Sequence, residues 1–208
     1  MGIVNIIDEV ADGHDQRRDI GSCHGIMVHR AGVDLRTGTE LGFDGLTLAE
    51  VFIGRRGEWD EVAKVTGYQN AYSVYVGGDV GPAKHDGAIW QALALDEIGH
   101  HARRFSEPYI GVCAIGDFRV KPPSDRQWGS LVDICAELCA AFRWNPYKRI
   151  KGHGEIPKAH DGSKAPGQPD ACPGDLFSMF AFRDDTAFMM RDIARRRLHD
   201  SGLVFTRP

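Results

Sequence analysis

Apolar and polar residues follow one another along much of the chain in patterns that predict β-strands. Each strand-like run is either continuously apolar or alternating, and glycine, proline or charged residues bound it. The runs lie at residues 25–29, 71–78, 88–93 and 109–116. The last run is almost entirely apolar, which indicates a central strand that is covered on both faces.

Helical patterns lie between and after these runs. Residues 47–50 and 124–127 are capping boxes, in which serine or threonine is followed three residues later by glutamate or glutamine, so each should open a helix. The second helix should continue to about Phe142 and pack an apolar stripe against the sheet.

Two more helices are predicted near the end of the chain. One covers residues 176–182, and the other runs from about Thr186 to Leu198 with Phe188 and Met189 facing inward. The alternation of strand and helix patterns predicts the α/β fold class. We expect a central mixed β-sheet of five or six strands flanked by α-helices, with a groove at the strand ends.

Composition narrows the classes of function. Of the 208 residues, 42% are hydrophobic and 26% are charged, as in an ordinary globular domain with a buried core. The net charge of −4 argues against a broad basic surface for nucleic acid. No apolar run approaches the roughly 20 residues of a membrane span, and the N-terminus lacks the features of a signal peptide. We therefore expect cytoplasmic synthesis.

The cysteines lie in apolar or helical contexts rather than in a loop framework. They are Cys23, Cys113, Cys135, Cys139 and Cys172, and an odd number cannot all pair, so reduced thiols are expected. Cys135 and Cys139 share a helix face, which is compatible with a redox or metal pair. Two small core residues are the favoured interpretation.

The stretch at residues 150–175 contains the most distinctive chemistry. It contains His153 and Cys172, which are joined by a loop too rich in glycine, proline and lysine to be a helix or strand. Imidazole and thiolate are good zinc ligands, and a catalytic zinc takes three protein ligands. The candidate third ligand is His29, which shares a strand face with Met27 and stands at the end of its run. The alternative for His29 is a hydrogen-bonded residue at a strand end.

Six short segments are specific when they are taken together and in order. They are I-M-V-H-R-A at 26–31, A-Y-S-V-Y-V-G-G-D at 71–79, G-H-H-A-R-R-F at 99–105, Y-I-G-V-C-A-I-G-D-F at 109–118, G-H-G-E at 152–155 and A-C-P-G at 171–174. Through them the chain resembles the zinc-dependent N-acetylmuramoyl-L-alanine amidases, whose fold is shared by short phage endolysins and peptidoglycan-recognition proteins. The resemblance covers roughly residues 20 to 180.

The resemblance implies one Zn²⁺ per chain, held in the groove by His29, His153 and Cys172. It places Tyr72 beside the metal, where the phenol would hydrogen-bond the attacking water or the tetrahedral intermediate. It places His101 at the substrate groove, where the side chain would orient the substrate. From residue type alone, Tyr72 could instead be a packed strand aromatic and His101 a solvated loop residue.

Some expectations concern residues around this ligand set. Arg103 could meet the acidic stem peptide of the substrate, or it could lie on a solvated face. Asp170 stands where the family commonly has lysine or threonine, and its carboxylate could act as general base, orient a ligand or cap a turn. Residues 159–168 look like an insertion at the rim of the site, and Lys164 within it could restore the missing positive charge.

Glu155 allows a different interpretation of the same loop. His153 and Glu155 match the H-x-E pattern of zinc deaminases, but those sites need a following P-C-x-x-C and this chain has A-C-P-G-D. We therefore interpret Glu155 as a carboxylate that either supports a metal ligand without binding the metal or has a structural role.

The preferred function is hydrolysis of the amide between N-acetylmuramic acid and L-alanine in peptidoglycan, as in an endolysin that acts on the wall after release. The alternatives are a recognition module that only binds peptidoglycan, or a bacterial remodelling or toxin amidase. Some recognition proteins in the resembling family keep the groove, lack the cysteine ligand and only bind muropeptides, so the presence of Cys172 favours the enzyme. We expect an N-terminal extension at 1–20, a catalytic domain at 21–183 and a basic C-terminal helix at 184–208 that could touch the envelope weakly. A monomer is expected.

Overall fold

The computed structural model describes residues 2–5, 16–31, 72–79, 86–99, 101–102, 105–156 and 172–193. The strands in these ranges are β1 (Ile3–Asn5), β2 (Gly25–Ala31), β3 (Val74–Val76), β4 (Ile89–Gln91), β5 (Tyr109–Ile115) and β6 (Ile150–Gly152). The α-helices are α1 (Asp125–Ala141), α2 (Pro146–Arg149) and α3 (Met179–Ile193). Short 3₁₀ turns cover Ile20–Ser22 and His153–Glu155.

The strands form one sheet in the order β1-β4-β3-β5-β2-β6. β3 and β4 are antiparallel, and every other neighbouring pair in this sheet is parallel. The sheet is thus mixed and six-stranded within the described ranges, which confirms the predicted fold class. At its centre β2 and β5 pair along their full lengths, with Val28 opposite Val112 and His29 opposite Cys113.

One face of the sheet is covered by α1 and α3. Ile26 and Val28 of β2 and their β5 neighbours are fully buried in a core with residues such as Leu131 and Ile134 of α1 and Phe182 of α3. Because successive strand residues point to opposite faces, Met27 and His29 lie on the other face. Among the described elements, α1 and α3 thus lie on the face opposite His29.

Helix α1 begins where the sequence predicts, but the Gln127 side chain of the predicted capping box bonds to the sheet. The Ser124 hydroxyl accepts a hydrogen bond from the Gln127 N–H at 3.0 Å, which satisfies one of the free donors of the first turn. The Gln127 amide donates to the carbonyls of Val76 and Ile115, at 3.1 and 2.9 Å. Gln127 thus joins the helix start to the ends of β3 and β5.

The prediction of two separate helices near the end of the chain is wrong. A single helix, α3, runs through Thr186, whose buried hydroxyl donates to the Phe182 carbonyl at 2.7 Å instead of opening a new helix. Phe188 is 64% exposed, so the expectation that it faces inward is also wrong, whereas Met189 does pack against the core. No helix in the described part of the chain is both long and apolar enough to cross a bilayer.

Some sequence predictions fall outside the described residues. They are the helix opened at 47–50, Arg103, the insertion at 159–168 with Lys164, Asp170, and the basic positions 195–197. The domain boundaries after residues 20 and 183 remain predictions.

Candidate metal centre

The face of the sheet opposite α1 carries His29, near the C-terminal end of β2. His29 is almost completely buried, with 1% of its surface exposed. Its neighbours on this face are Met27 on the same strand and Gly111 and Cys113 on β5, which follow from the register of the two strands. A central parallel strand thus fixes the main chain of the first candidate ligand.

His153 reaches the same place from the neighbouring strand. β6 pairs with β2, with Gly152 opposite Val28, so the next residue emerges beside His29 and the two ring centroids are 4.6 Å apart. Glu155 accepts a hydrogen bond from the Gly152 N–H at 2.8 Å and pairs with Arg183 of α3. These contacts close the turn that carries His153, and they agree with a structural role for Glu155.

Cys172 comes from a turn that is held against the end of β2. Its Sγ accepts a hydrogen bond from the Arg30 N–H at 3.4 Å, and its carbonyl accepts one from the Gly154 N–H at 2.6 Å. The Arg30 guanidinium also donates to the Pro173 carbonyl at 3.1 Å. Burial raises the pKa of the Cys172 thiol to about 11, against the opposing effect of the Arg30 hydrogen bond and charge.

His29, His153 and Cys172 form a cluster with the composition and dimensions of a metal site. One donor atom from each lies within 4.8 Å of the other two, and the Cys172 Sγ is 4.0 Å from the His29 Nδ1. A nitrogen and a sulfur bound to one tetrahedral zinc ion are about 3.5 Å apart, given bond lengths of about 2.0 and 2.3 Å. Two imidazoles and a thiolate therefore fit zinc with only small side-chain adjustments.

Tyr72 lies against this cluster just before β3. Its ring centroid is 4.9 Å from that of His29 and 5.4 Å from that of Tyr75. Burial raises the pKa of Tyr72 well above its ordinary value, so the phenol keeps its proton near neutral pH. Tyr72 can therefore act as a hydrogen-bond donor beside the candidate ligands.

His101 is buried and contacts His29 in the protein interior. It is only 8% exposed, its Nδ1 is 3.1 Å from the His29 Nε2, and its Nε2 is 3.1 Å from the Tyr109 carbonyl oxygen. The other two residues proposed from the sequence, Arg103 and Asp170, lie outside the described residues.

Arg18 supports the site in a way that the sequence did not indicate, since it lies in the expected N-terminal extension at 1–20. This buried guanidinium donates four hydrogen bonds to main-chain carbonyls. The acceptors are Ser106 at 3.1 Å, Glu107 at 2.9 Å, Tyr109 at 2.6 Å and Glu97 at 2.6 Å. Arg18 thus fixes the loop before β5, and the local sequence around it gives no sign of these acceptors.

The chain belongs to the N-acetylmuramoyl-L-alanine amidase family, whose model matches residues 21–175. Among curated proteins none matches the sequence. The match contains all three clustered side chains, Tyr72 and His101. Family membership supports a protein that hydrolyses or binds peptidoglycan.

Solved structures with the same fold include enzymes and recognition proteins. N-acetylmuramoyl-L-alanine amidase LysC from Clostridium intestinale has a TM-score of 0.58 and 17% identity, over 88% of this chain and 96% of that one. Ph2119 endolysin from a Thermus scotoductus bacteriophage has a TM-score of 0.57 and 19% identity, over 89% of this chain and 99% of that one. A mutant of Drosophila PGRP-LB in complex with tracheal cytotoxin has a TM-score of 0.56 and 15% identity, over 99% of this chain and 96% of that one.

Proposed function

We propose that this protein is a zinc-dependent N-acetylmuramoyl-L-alanine amidase that hydrolyses the amide between the lactyl group of N-acetylmuramic acid and L-alanine. The observation that carries the proposal is the convergence of His29, His153 and Cys172 within 4.8 Å. A module that only binds peptidoglycan has no chemical need for a thiol clustered with two imidazoles, so the complete ligand set favours hydrolysis.

His29, His153 and Cys172 would hold the metal, with the thiol losing its proton on binding. When bound, zinc supplies a Lewis acid that polarises a carbonyl and activates water near neutral pH. The protein contributes fixed positions for the donors, because β2, the turn after β6 and the turn at Cys172 are each tied down by main-chain hydrogen bonds.

Tyr72 would donate its phenol hydrogen to the oxygen of the scissile carbonyl as negative charge develops there. A preorganised donor of this kind contributes about 3–4 kcal/mol to transition-state stabilisation. The roles of Asp170 as proton acceptor and Arg103 as a contact for the acidic stem peptide stay part of the proposal, and they rest on the resemblance of their segments to the family.

We further propose that the protein is an endolysin-like monomer that acts on the cell wall after release. The fold similarity to LysC and to the phage endolysin Ph2119 supports this choice. The competing possibility is a module that binds peptidoglycan without cleaving it. Binding alone is supported by the fold similarity to a PGRP-LB mutant in complex with tracheal cytotoxin.

The test measures zinc content and bond cleavage on the same purified protein. We expect one zinc per chain, new L-alanine amino termini from purified peptidoglycan, and no new reducing sugars. His153→Ala and Cys172→Ala should lose both zinc and cleavage, while His24→Ala, which removes an exposed imidazole, should keep both. Unchanged cleavage in the first two variants would overturn the zinc assignment, and zinc without cleavage in the wild type would favour the binding module.

A further inference from the structure

We propose that His101 is a positioning residue for His29: anchored on the Tyr109 carbonyl, it selects the tautomer and orientation of His29 that turn its Nδ1 toward Cys172 and His153. The inference rests on the proposed metal site and assigns His101 a role different from the substrate contact expected from the sequence. It follows from the hydrogen-bond chain that joins Tyr109, His101 and His29.

The hydrogen-bond chain starts at the Tyr109 carbonyl oxygen, which can only accept hydrogen bonds. The Tyr109 carbonyl oxygen is 3.1 Å from the His101 Nε2, so this nitrogen carries the hydrogen. The same oxygen accepts a hydrogen bond from Arg18 Nη1 at 2.6 Å. Both contacts are therefore donations to one carbonyl, and a buried cation helps to fix its position.

The direction of the next hydrogen bond follows from the first. A neutral imidazole with a hydrogen on Nε2 has only a lone pair on Nδ1. The His101 Nδ1 is 3.1 Å from the His29 Nε2, so His29 must donate from Nε2. The His29 Nδ1 is then the nitrogen with the lone pair.

That lone pair lies on the side of the other candidate ligands. The His29 Nδ1 is 4.0 Å from the Cys172 Sγ, and His29 and His153 have ring centroids 4.6 Å apart. Histidines that bind metals usually donate their other N–H to a fixed acceptor, which sets the tautomer and raises the basicity of the ligand. Here the fixed acceptor is a second histidine that is itself anchored on the main chain.

The packing around His101 keeps the ring in place. A Cβ on Gly111 would lie 2.8 Å from the His101 Cδ2, so the ring rests directly on the bare main chain of β5. The Ser106 hydroxyl accepts hydrogen bonds from the N–H groups of His101 and Ala102, at 3.1 and 2.9 Å. Both ring nitrogens of His101 bond to protein groups, and only 8% of the residue is exposed. These contacts favour a role in holding His29.

The first test compares zinc affinity in two variants of His101 by competition with a chromophoric chelator. His101→Leu removes both hydrogen bonds, and we expect zinc binding to weaken by about 10- to 100-fold. His101→Gln keeps one acceptor and one donor in an amide, and it should recover at least part of the affinity. The visible absorption of the Co²⁺-loaded variants should change in the leucine variant and return toward the wild type in the glutamine variant.

The second test moves the ring without removing a polar group. Gly111→Ala places a methyl group against His101 and should weaken zinc binding as His101→Leu does. Gly129→Ala is the matched control, because a Cβ there meets no atom within 4 Å, and its zinc affinity should equal that of the wild type. Thermal unfolding of the metal-free proteins checks that each variant is folded.

The outcomes separate this inference from the proposed function. Failure of the wild type to bind zinc would contradict both the proposed function and the positioning role of His101. If the wild type binds zinc, equal affinity in folded His101→Leu and Gly111→Ala variants, or a leucine variant that changes only KM for peptidoglycan, would overturn the positioning role and leave the metal site intact. Weaker zinc binding in both variants with recovery in His101→Gln supports it.

Discussion

Tyr72 carries a polar group beside the three proposed ligands but is not one of them. Its ring lies 4.9 Å from that of His29, and its buried phenol stays protonated near neutral pH. Tyr72→Phe should therefore keep zinc and the fold while kcat falls about 100- to 1,000-fold with little change in KM, because only the transition state needs the lost donor. Steady-state kinetics with a defined muropeptide measures this. An unchanged kcat would mean that the phenol only packs.

Arg18 and Arg17 form a natural pair for a stability measurement. Arg18 is 5% exposed and binds four carbonyl oxygens, whereas the Arg17 side chain is 41% exposed and pairs only with Asp96 among the contacts described. Arg18→Met should lower the free energy of unfolding by about 3 kcal/mol, because it leaves buried acceptors without donors.

Urea unfolding of both arginine variants checks this prediction. Arg17→Met should cost less than about 1 kcal/mol, as expected for a surface ion pair. Equal losses in the two variants would show that the carbonyls of the loop before β5 find other partners when Arg18 is absent.

At the scale of elements, an ionic cluster joins β2 to the turns that follow β5 and Cys172. Asp117 accepts two hydrogen bonds from the Arg119 guanidinium, at 2.7 and 2.6 Å. Its Oδ1 lies 3.9 Å from the Arg30 Nε. Arg30 in turn holds the Cys172 turn through its N–H and its guanidinium. A carboxylate that touches no candidate ligand thus supports the position of one.

The pH dependence of stability should reveal this cluster. Hydrogen bonds from Arg119, with a smaller contribution from the Arg30 charge, lower the pKa of Asp117 below its ordinary value of 3.8. The stabilisation is therefore present above about pH 4 and is lost as the pH falls through the lower folded-state pKa. Asp117→Asn should cost about 1 kcal/mol at pH 7, and the difference from the wild type should shrink toward pH 2.

Chemical unfolding at a series of pH values measures the effect of Asp117→Asn. Asp79→Asn is the control, because Asp79 is exposed and pairs with the exposed Lys121, so its removal should cost little. A constant difference between the wild type and Asp117→Asn from pH 7 to pH 2 would contradict the assignment.

At the scale of the whole molecule, the three candidate ligands come from distant parts of the chain. β2, the turn after β6 and the turn before α3 meet only in the folded state, so a metal that binds them should stabilise the fold by mass action. Zinc at 100 times its Kd should add about 2.7 kcal/mol, or roughly 5–11 °C in the melting temperature. Scanning calorimetry after chelation and after zinc is restored measures this. His153→Ala should show no zinc-dependent shift.

Local patterns in the sequence were sufficient to predict the central elements. β2 and β5 follow from their apolar runs, and α1 follows from its cap at Ser124, because period and capping depend on neighbouring residues. The prediction of separate helices around Thr186 failed because the buried hydroxyl bonds to the preceding turn, and that burial depends on contacts distant in sequence. The Gln127 side chain donates to two strand carbonyls rather than bonding the start of its own helix, again because the contacts that decide this are distant in sequence.

The sequence by itself determined which side chains are available as metal ligands, since His29, His153 and Cys172 stand in short segments of recognisable type and order. Only the tertiary structure decided how they are held. The tautomer of His29 depends on His101, which depends on a carbonyl of Tyr109 that Arg18 also binds from 91 residues away. Main-chain carbonyls are present at every residue, so the sequence does not reveal which of them a side chain will meet until the fold brings the two together.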